Sequence, residues 1–153
     1  MNHKRFPLFF DLTKKDILFV GGGSIALRRI KTLLPFVDSV SVITVTVSAE
    51  LSALAKECLA VKLVERAFDL SDLKGRDMVF ACTGDEGLNA EIAAECKKQG
   101  IPVNNCSKKE DCDFYFPGIV EMGNVVVGVT ASGEDHKKAK EIRERIGELL
   151  EQI

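Results

Sequence analysis

The chain lacks the features that would assign it to a membrane or to nucleic acid. None of its 153 residues belongs to an apolar run of transmembrane length, and no apolar segment typical of a signal peptide follows its basic N-terminus. We therefore expect a cytoplasmic protein that does not use a membrane as a partner. Lys and Arg total 21 against 23 Asp and Glu, a formal net charge of −2, so no general attraction to nucleic acid is expected.

Patterns typical of metal sites and disulfide frameworks are also missing. The five cysteines are an odd number and include no CxxC motif, and the two histidines are distant from them in sequence. Cys58, Cys82 and Cys96 lie in apolar patterns typical of buried thiols, whereas Cys106 and Cys112 flank a polar segment and could approach each other. Because cytoplasmic thiols are normally reduced, we predict free cysteines and no metal site.

The most informative segment that is present is a short apolar run ending in three glycines. The pattern Gly21-x-Gly23-x-x-Ala26 fits the dinucleotide-binding fingerprint. The first glycine permits a tight turn, the second brings the backbone close to a pyrophosphate, and Ala26 lets the following helix lie close to its strand. The helix N-terminus would present free N–H groups to the phosphates. The predicted contacts of this loop are Gly21, Gly22, Gly23, Ser24 and Ile25.

Threonines occupy the position where a ribose-binding acid is expected. Such a carboxylate ends the second strand about 20 residues after the glycines, but the sequence there reads Thr44, Val45 and Thr46. Either threonine is a candidate to bind the ribose hydroxyls, and the alternative is that both merely suit a strand end. No arginine stands there to meet a 2′-phosphate, so NAD is favoured over NADP.

Strands and helices alternate over the first 112 residues. The predicted strands are 16–20, 40–45, 61–64, 78–82 and 101–104, and the predicted helices are 24–35, 85–100 and one capped by Ser48. This order predicts an α/β, Rossmann-type doubly wound parallel sheet. Thr83 follows the fourth strand at the edge where such sheets bind ligands, so we predict a cofactor contact there. The alternative is N-capping of the next helix, a role that Asp85 could equally take.

The pattern changes after residue 112. Two apolar segments, 114–120 and 125–130, are separated by a turn signal, which predicts a β-hairpin, and a charged helix follows from about 134 to 152. The valine-rich hairpin has two apolar faces, and the helix can cover one of them. We therefore predict a homodimer through this segment, with extension of the chain's own parallel sheet as the alternative. The predicted domains are 1–112, which binds NAD, and 113–153, which holds the dimerisation hairpin and the start of a helical region.

The order of motifs resembles one known family. The glycine segment is followed by Thr83-Gly-Asp85-x-x-x-Asn89, by Val103-Asn104, by Cys112-Asp-Phe-Tyr-Phe-Pro117, and by Ser132-Gly133. Together these are similar to the dehydrogenase and ferrochelatase module of siroheme synthase, a family that includes stand-alone precorrin-2 dehydrogenases. The resemblance implies a homodimeric enzyme that oxidises the tetrapyrrole precorrin-2 to sirohydrochlorin and passes a hydride to NAD. Some members also insert ferrous iron.

The chain departs from that family in two places. Where members carry an Asp that is the favoured acid–base group, this sequence has Ser107, with Asp111 and Asp113 nearby as further candidates. Members also continue with a helical region that helps to enclose the tetrapyrrole. We therefore expect dehydrogenation more than chelation. The alternatives are a non-catalytic NAD- or tetrapyrrole-binding subunit of the same pathway and a nucleotide-sensing regulatory domain.

Overall fold

The computed structural model describes residues 5–152, so the first four residues and Ile153 of the two predicted domains lie outside the described part. Asp11–Phe114 forms one compact unit, and the described residues up to Phe10 and from Tyr115 onward form another. The strands of the first unit are β1 (Ile17–Val20), β2 (Val40–Thr44), β3 (Val61–Glu65), β4 (Met78–Ala81) and β5 (Val103–Asn105). Its helices are α1 (Ser24–Leu33), α2 (Ala49–Glu57) and α3 (Glu86–Gln99).

The five strands form one parallel sheet in the order β3-β2-β1-β4-β5. This arrangement confirms the predicted Rossmann-type sheet. β1 lies at the centre, and all four of its residues are buried, as expected for a strand covered on both faces. Leu18 and Val20 join Ile92 of α3 in one apolar cluster. Phe19 alternates to the other face, where its ring stacks on Phe80 of β4 at 4.3 Å.

Local sequence signals set the helix ends. Ser48 precedes α2 and its hydroxyl accepts a hydrogen bond from the Leu51 N–H at 3.1 Å, as predicted. Asp85 plays the same part for α3 by accepting from the Leu88 N–H at 3.0 Å, so Asp85 and not Thr83 caps this helix. The helix ends at Gly100, which adopts the left-handed φ of 69° that favours glycine.

The second unit contains the hairpin and the last helix. β6 (Gly118–Met122) pairs antiparallel with β7 (Val125–Val129) in a sheet of their own, and α4 (His136–Leu150) follows. The hairpin therefore does not extend the parallel sheet, and the predicted strand 114–120 was wrong over 114–117, where Pro117 cannot donate to a ladder. Among residues 5–152, no helix is both long and apolar enough to cross a membrane.

Two cysteines depart from the prediction of reduced thiols. Cys82 and Cys106 are joined in a disulfide, whereas Cys58, Cys96 and Cys112 are free. The physical reason is the sheet register, which pairs Ala81 of β4 with Asn105 of β5. The next residue of each strand is a cysteine, and their Cα atoms are 5.2 Å apart, within the range that a disulfide spans. The sequence had indicated only that Cys106 and Cys112 could approach each other, and no disulfide was predicted.

Candidate cofactor and active site

The glycine turn is shaped by the end of β4. Gly21 has a φ of +102°, and a Cβ at this position would lie 2.4 Å from the carbonyl oxygen of Cys82 and 2.8 Å from the backbone nitrogen of Thr83. The Gly21 N–H donates to the Ile43 carbonyl of β2 at 2.8 Å. Since neither the backbone angle nor the space admits a side chain, only glycine fits here.

The next two glycines differ from each other. A Cβ at Gly22 would lie 2.8 Å from Leu51 and 3.0 Å from Thr44, so packing of the protein itself keeps this residue small. A Cβ at Gly23 would meet nothing within 4 Å, and the φ of −74° suits any residue. Gly23 is the N-cap residue of α1, where glycine is one of several favoured residues, but neither the backbone angle nor the packing of this unit requires glycine there. A ligand that approaches the backbone closely would explain it.

The N-terminus of α1 is arranged differently from those of the other described helices. The side chains of Ser48, Asp85 and Asp135 cap α2, α3 and α4. No side chain caps α1, and its first turn carries no acidic residue. Ser24 is exposed there and Ile25 is 44% exposed. The first N–H groups of α1 and the positive end of its dipole are therefore available to an anion.

The predicted ribose contacts at the end of β2 differ in their exposure to solvent. Thr44 is buried, and its hydroxyl donates to the Thr46 carbonyl at 3.0 Å. Thr44 therefore shapes the loop. Val45 is 69% exposed, and Thr46 is exposed beside it. Of the two threonines, Thr46 is the one whose side chain faces solvent beyond the sheet.

Thr83 and Ser107 are brought together by a buried asparagine. Asn89 of α3 is fully buried, and its Oδ1 accepts from the Thr83 hydroxyl at 2.7 Å and from the Thr83 N–H at 3.0 Å. Its Nδ2 donates to Ser107 Oγ at 2.7 Å. The array therefore ties the ends of β4 and β5 to one helix. Sequence reasoning noted Asn89 only within a family motif, since a buried asparagine on a helix has no spacing signal of its own.

Asn105 extends this array to a carboxylate. Its Oδ1 accepts from the Ser107 hydroxyl at 2.9 Å, and its Nδ2 donates to Asp111 Oδ2 at 3.2 Å. The other oxygen of Asp111 lies 3.7 Å from Lys108 Nζ. Asp113 is placed differently, because its carboxylate accepts from the Val103 N–H at the start of β5. Two of the three predicted acid–base candidates, Ser107 and Asp111, are thus linked through Asn105. The third, Asp113, accepts a backbone hydrogen bond instead.

Arg29 of α1 lies at the same edge of the parallel sheet, where its side chain is partly buried. The sequence analysis did not identify this residue. Its Nη1 donates to Asn104 Oδ1 at 2.6 Å and to Cys106 Sγ at 2.8 Å. Burial and the charge of Arg28 lower the pKa of Arg29, but a guanidinium stays protonated. The available signal was helical spacing, because Arg29 follows the buried Ala26 by three residues and precedes the buried Leu33 by four.

Comparison with known proteins agrees with this geometry. Residues 8–118 match a family described as putative NAD(P)-binding. A probable multifunctional siroheme biosynthesis protein of Ruminiclostridium josui is 35% identical over 95% of this chain and 28% of its own length. The siroheme synthase of Ectopseudomonas mendocina is 37% identical over 92% of this chain and 30% of its own. The chain thus spans less than a third of the curated relatives it matches.

A solved structure is similar over nearly the whole chain. It is described as SirC, precorrin-2 dehydrogenase, and it matches with a TM-score of 0.80 at 25% identity, over 95% of this chain and 71% of that one. The predicted resemblance to the siroheme synthase module is confirmed, as is the predicted class of nicotinamide dinucleotide cofactor.

The three glycines should separate folding from cofactor binding. We expect Gly21→Ala to lower the unfolding temperature strongly, because its Cβ would overlap the backbone of β4. We expect Gly23→Val to leave that temperature nearly unchanged while it abolishes NAD binding in calorimetric titration. Ala53→Val, at an exposed residue of α2, is the control for added bulk away from the glycine turn. A folded Gly23→Val variant that binds NAD like the wild type would contradict the assignment.

Proposed function

We propose that this chain, which belongs to the putative NAD(P)-binding family, is an NAD-dependent precorrin-2 dehydrogenase of siroheme biosynthesis. The observation that carries the proposal is the open space at Gly23 before the uncapped N-terminus of α1. The same sheet edge holds the array of Thr83, Asn89 and Ser107. Similarity to a precorrin-2 dehydrogenase over 95% of the chain supports the choice of substrate.

The cofactor is held by backbone more than by side chains. The N–H groups of the first turn of α1 would hold the pyrophosphate, with Ser24 and Ile25 as the neighbouring side chains. Thr46 and the exposed Val45 would contact the adenosine ribose, and Thr83 would help to orient the other half of the dinucleotide. The Thr44–Thr46 segment contains no basic residue, and Arg66 beside it is paired with Asp72. This supports NAD over NADP.

Oxidation of precorrin-2 to sirohydrochlorin removes a hydride and a proton from the tetrapyrrole. NAD, when bound, supplies the hydride acceptor. The proton needs a base, and the Ser107 hydroxyl is poorly suited because it donates to Asn105 and accepts from Asn89. Asp111 is the carboxylate hydrogen-bonded to this array through Asn105, and we assign to it the role of the base that accepts the proton.

Anaerobic turnover tests the function as a whole. The purified protein is incubated with precorrin-2 and NAD, and NADH absorbance is followed together with the sirohydrochlorin spectrum. We expect one NADH for each sirohydrochlorin formed. Binding of NAD or precorrin-2 without turnover would instead support a non-catalytic binding subunit. NAD binding without any interaction with precorrin-2 would support a nucleotide-sensing domain.

Asp111→Asn should separate the two acid–base candidates. We expect this variant to lower kcat by about 10² or more with little change in KM, since general bases contribute about 10²–10⁴-fold. Ser107→Asp should raise the turnover of the wild type and restore that of Asp111→Asn. The control is Glu110→Gln, which removes an exposed carboxylate from the same turn. Wild-type kcat in Asp111→Asn would refute the role of Asp111.

A homodimer formed through the hairpin is the second part of the proposal. α4 packs on one face of the hairpin, since a Cβ on Gly118 would lie 3.0 Å from Arg143 and one on Gly147 would lie 3.9 Å from Val120. Ile119 and Val126 lie on the opposite face, because side chains alternate along each strand. Leu149 of α4 is 62% exposed. A second copy of the chain is the proposed cover for these residues.

Val126→Lys tests this interface without disturbing the packing of α4. Its cross-strand partner is Glu121, so the new charge is compatible with the hairpin. Light scattering at micromolar concentration should give the mass of a dimer for the wild type and of a monomer for the variant. Leu59→Lys, at a residue 95% exposed in the other unit, should stay dimeric. A monomeric wild type would rule out this proposal.

Two expectations remain predictions. Iron insertion is proposed to be weak or absent, because the family carboxylate is replaced by Ser107 and that carboxylate is the expected acceptor for the pyrrole protons that iron displaces. A cytoplasmic location is likewise proposed and stays a prediction.

A further inference from the structure

We propose that Cys82 and Cys106 form a reversible thiol–disulfide pair, with Cys106 as the reactive sulfur, and that its redox state changes the affinity of the cofactor site. The thiol chemistry stands apart from the proposed function, whereas the effect on affinity rests on it. The proposal starts from the placement of the two residues at the carboxyl ends of adjacent strands, with Cα atoms 5.2 Å apart.

The backbone around the pair permits both redox states. The Cys106 N–H donates to the Ala81 carbonyl at 2.9 Å, and the Cys82 N–H donates to the Val20 carbonyl at 2.8 Å. The first bond holds the end of β5 to β4 and the second holds the end of β4 to β1, whether or not the sulfurs are bonded. Cys82 is only 8% exposed and Cys106 is more exposed. Cys106 is therefore the sulfur that a solvent-borne thiol or disulfide reaches.

Arg29 makes Cys106 the reactive member of the pair. Its Nη1 lies 2.8 Å from Cys106 Sγ and 4.0 Å from Cys82 Sγ. A guanidinium beside sulfur stabilises the thiolate, which is the nucleophilic form. The free cysteines nearby are placed in the opposite way, since burial raises the pKa of Cys112 and raises that of Cys96 to about 11. Reactivity is thereby concentrated at Cys106.

The exchange reaction balances with a low-molecular-weight thiol such as glutathione. Its thiolate attacks Cys106 Sγ, the bond between the two cysteines breaks, and Cys82 leaves as a thiolate that takes up a proton. A second thiol attacks the mixed disulfide and frees Cys106, so two thiols are oxidised to one disulfide while the protein gains two thiols. Oxidation follows the reverse path, in which the Cys106 thiolate attacks an external disulfide and Cys82 resolves the product.

The pair is coupled to the cofactor site by direct packing. The carbonyl of Cys82 is the group that a Cβ on Gly21 would strike, so the disulfide lies directly behind the glycine turn. Thr83 and Ser107 follow the two cysteines and are joined through Asn89. In the reduced protein a Cys106 thiolate offsets the positive charge of Arg29 and the crosslink is lost. Both changes favour tighter binding of the anionic dinucleotide by the oxidised form.

Thiol tagging tests the pair without any cofactor. After equilibration with oxidised glutathione, denaturation and alkylation, mass spectrometry should show three tagged cysteines, namely Cys58, Cys96 and Cys112. After reduction it should show all five. In Cys82→Ser, Cys106 should form a mixed glutathione disulfide, and Arg29→Gln added to it should slow this step about tenfold. In Cys106→Ser, Cys82 should form a mixed glutathione disulfide only slowly. Cys58→Ser is the control for loss of a cysteine outside the pair, and it should leave the reaction of Cys82 and Cys106 unchanged.

Two results would overturn the thiol chemistry: five tagged cysteines after oxidation, or equal rates at Cys106 with and without Arg29. NAD calorimetry on the oxidised and reduced wild type tests the coupling. We expect the oxidised form to bind at least about threefold more tightly, as the loss of one nearby charge would give. Cys82→Ser/Cys106→Ser should bind with one affinity in both conditions. Equal affinity of the two wild-type forms would overturn the coupling, and no NAD binding by either form would overturn the proposed function instead.

Discussion

The close approach of β4 to the glycine turn is the contact on which the site depends. The Cys82 carbonyl and the Thr83 nitrogen occupy the space in which a Cβ of Gly21 would lie. The chain therefore leaves β1 through a conformation available to glycine, and α1 starts three residues after Gly21 with no side chain capping its first N–H groups. A short, fully buried β1 between β2 and β4 fixes this geometry, because the turn is held from both neighbouring strands.

The polar groups at the sheet edge form one satisfied network. Asn89 joins Thr83 to Ser107, and Asn105 joins Ser107 to Asp111, so a serine stands between two amides at the position of the family acid. Buried polar groups that are fully paired hold a single arrangement. In this arrangement Ser107 links two amide side chains, and the nearest carboxylate of the network is that of Asp111, which is joined to the serine through Asn105.

Sequence alone predicted most of the fold and the glycine turn that we propose as the cofactor loop. Apolar runs, the Ser48 cap and Gly100 are local signals, and the structure follows each of them. What sequence could not provide depends on register between strands distant in the chain. The pairing of Ala81 with Asn105 brings Cys82 to Cys106, whereas spacing along the chain indicated only that Cys112 could approach Cys106. The roles of Asn89 and Arg29 likewise depend on which strand ends their helices reach. The hydrogen bond from the Thr44 hydroxyl to the Thr46 carbonyl depends on the geometry of the loop after β2.

A crystal structure of the protein with NAD would show whether the glycine turn and α1 hold the dinucleotide. We expect the pyrophosphate to lie within hydrogen-bonding distance of the first N–H groups of α1, over the open face of Gly23. A dinucleotide bound elsewhere, or one whose pyrophosphate is held by side chains away from the glycine turn, would contradict it.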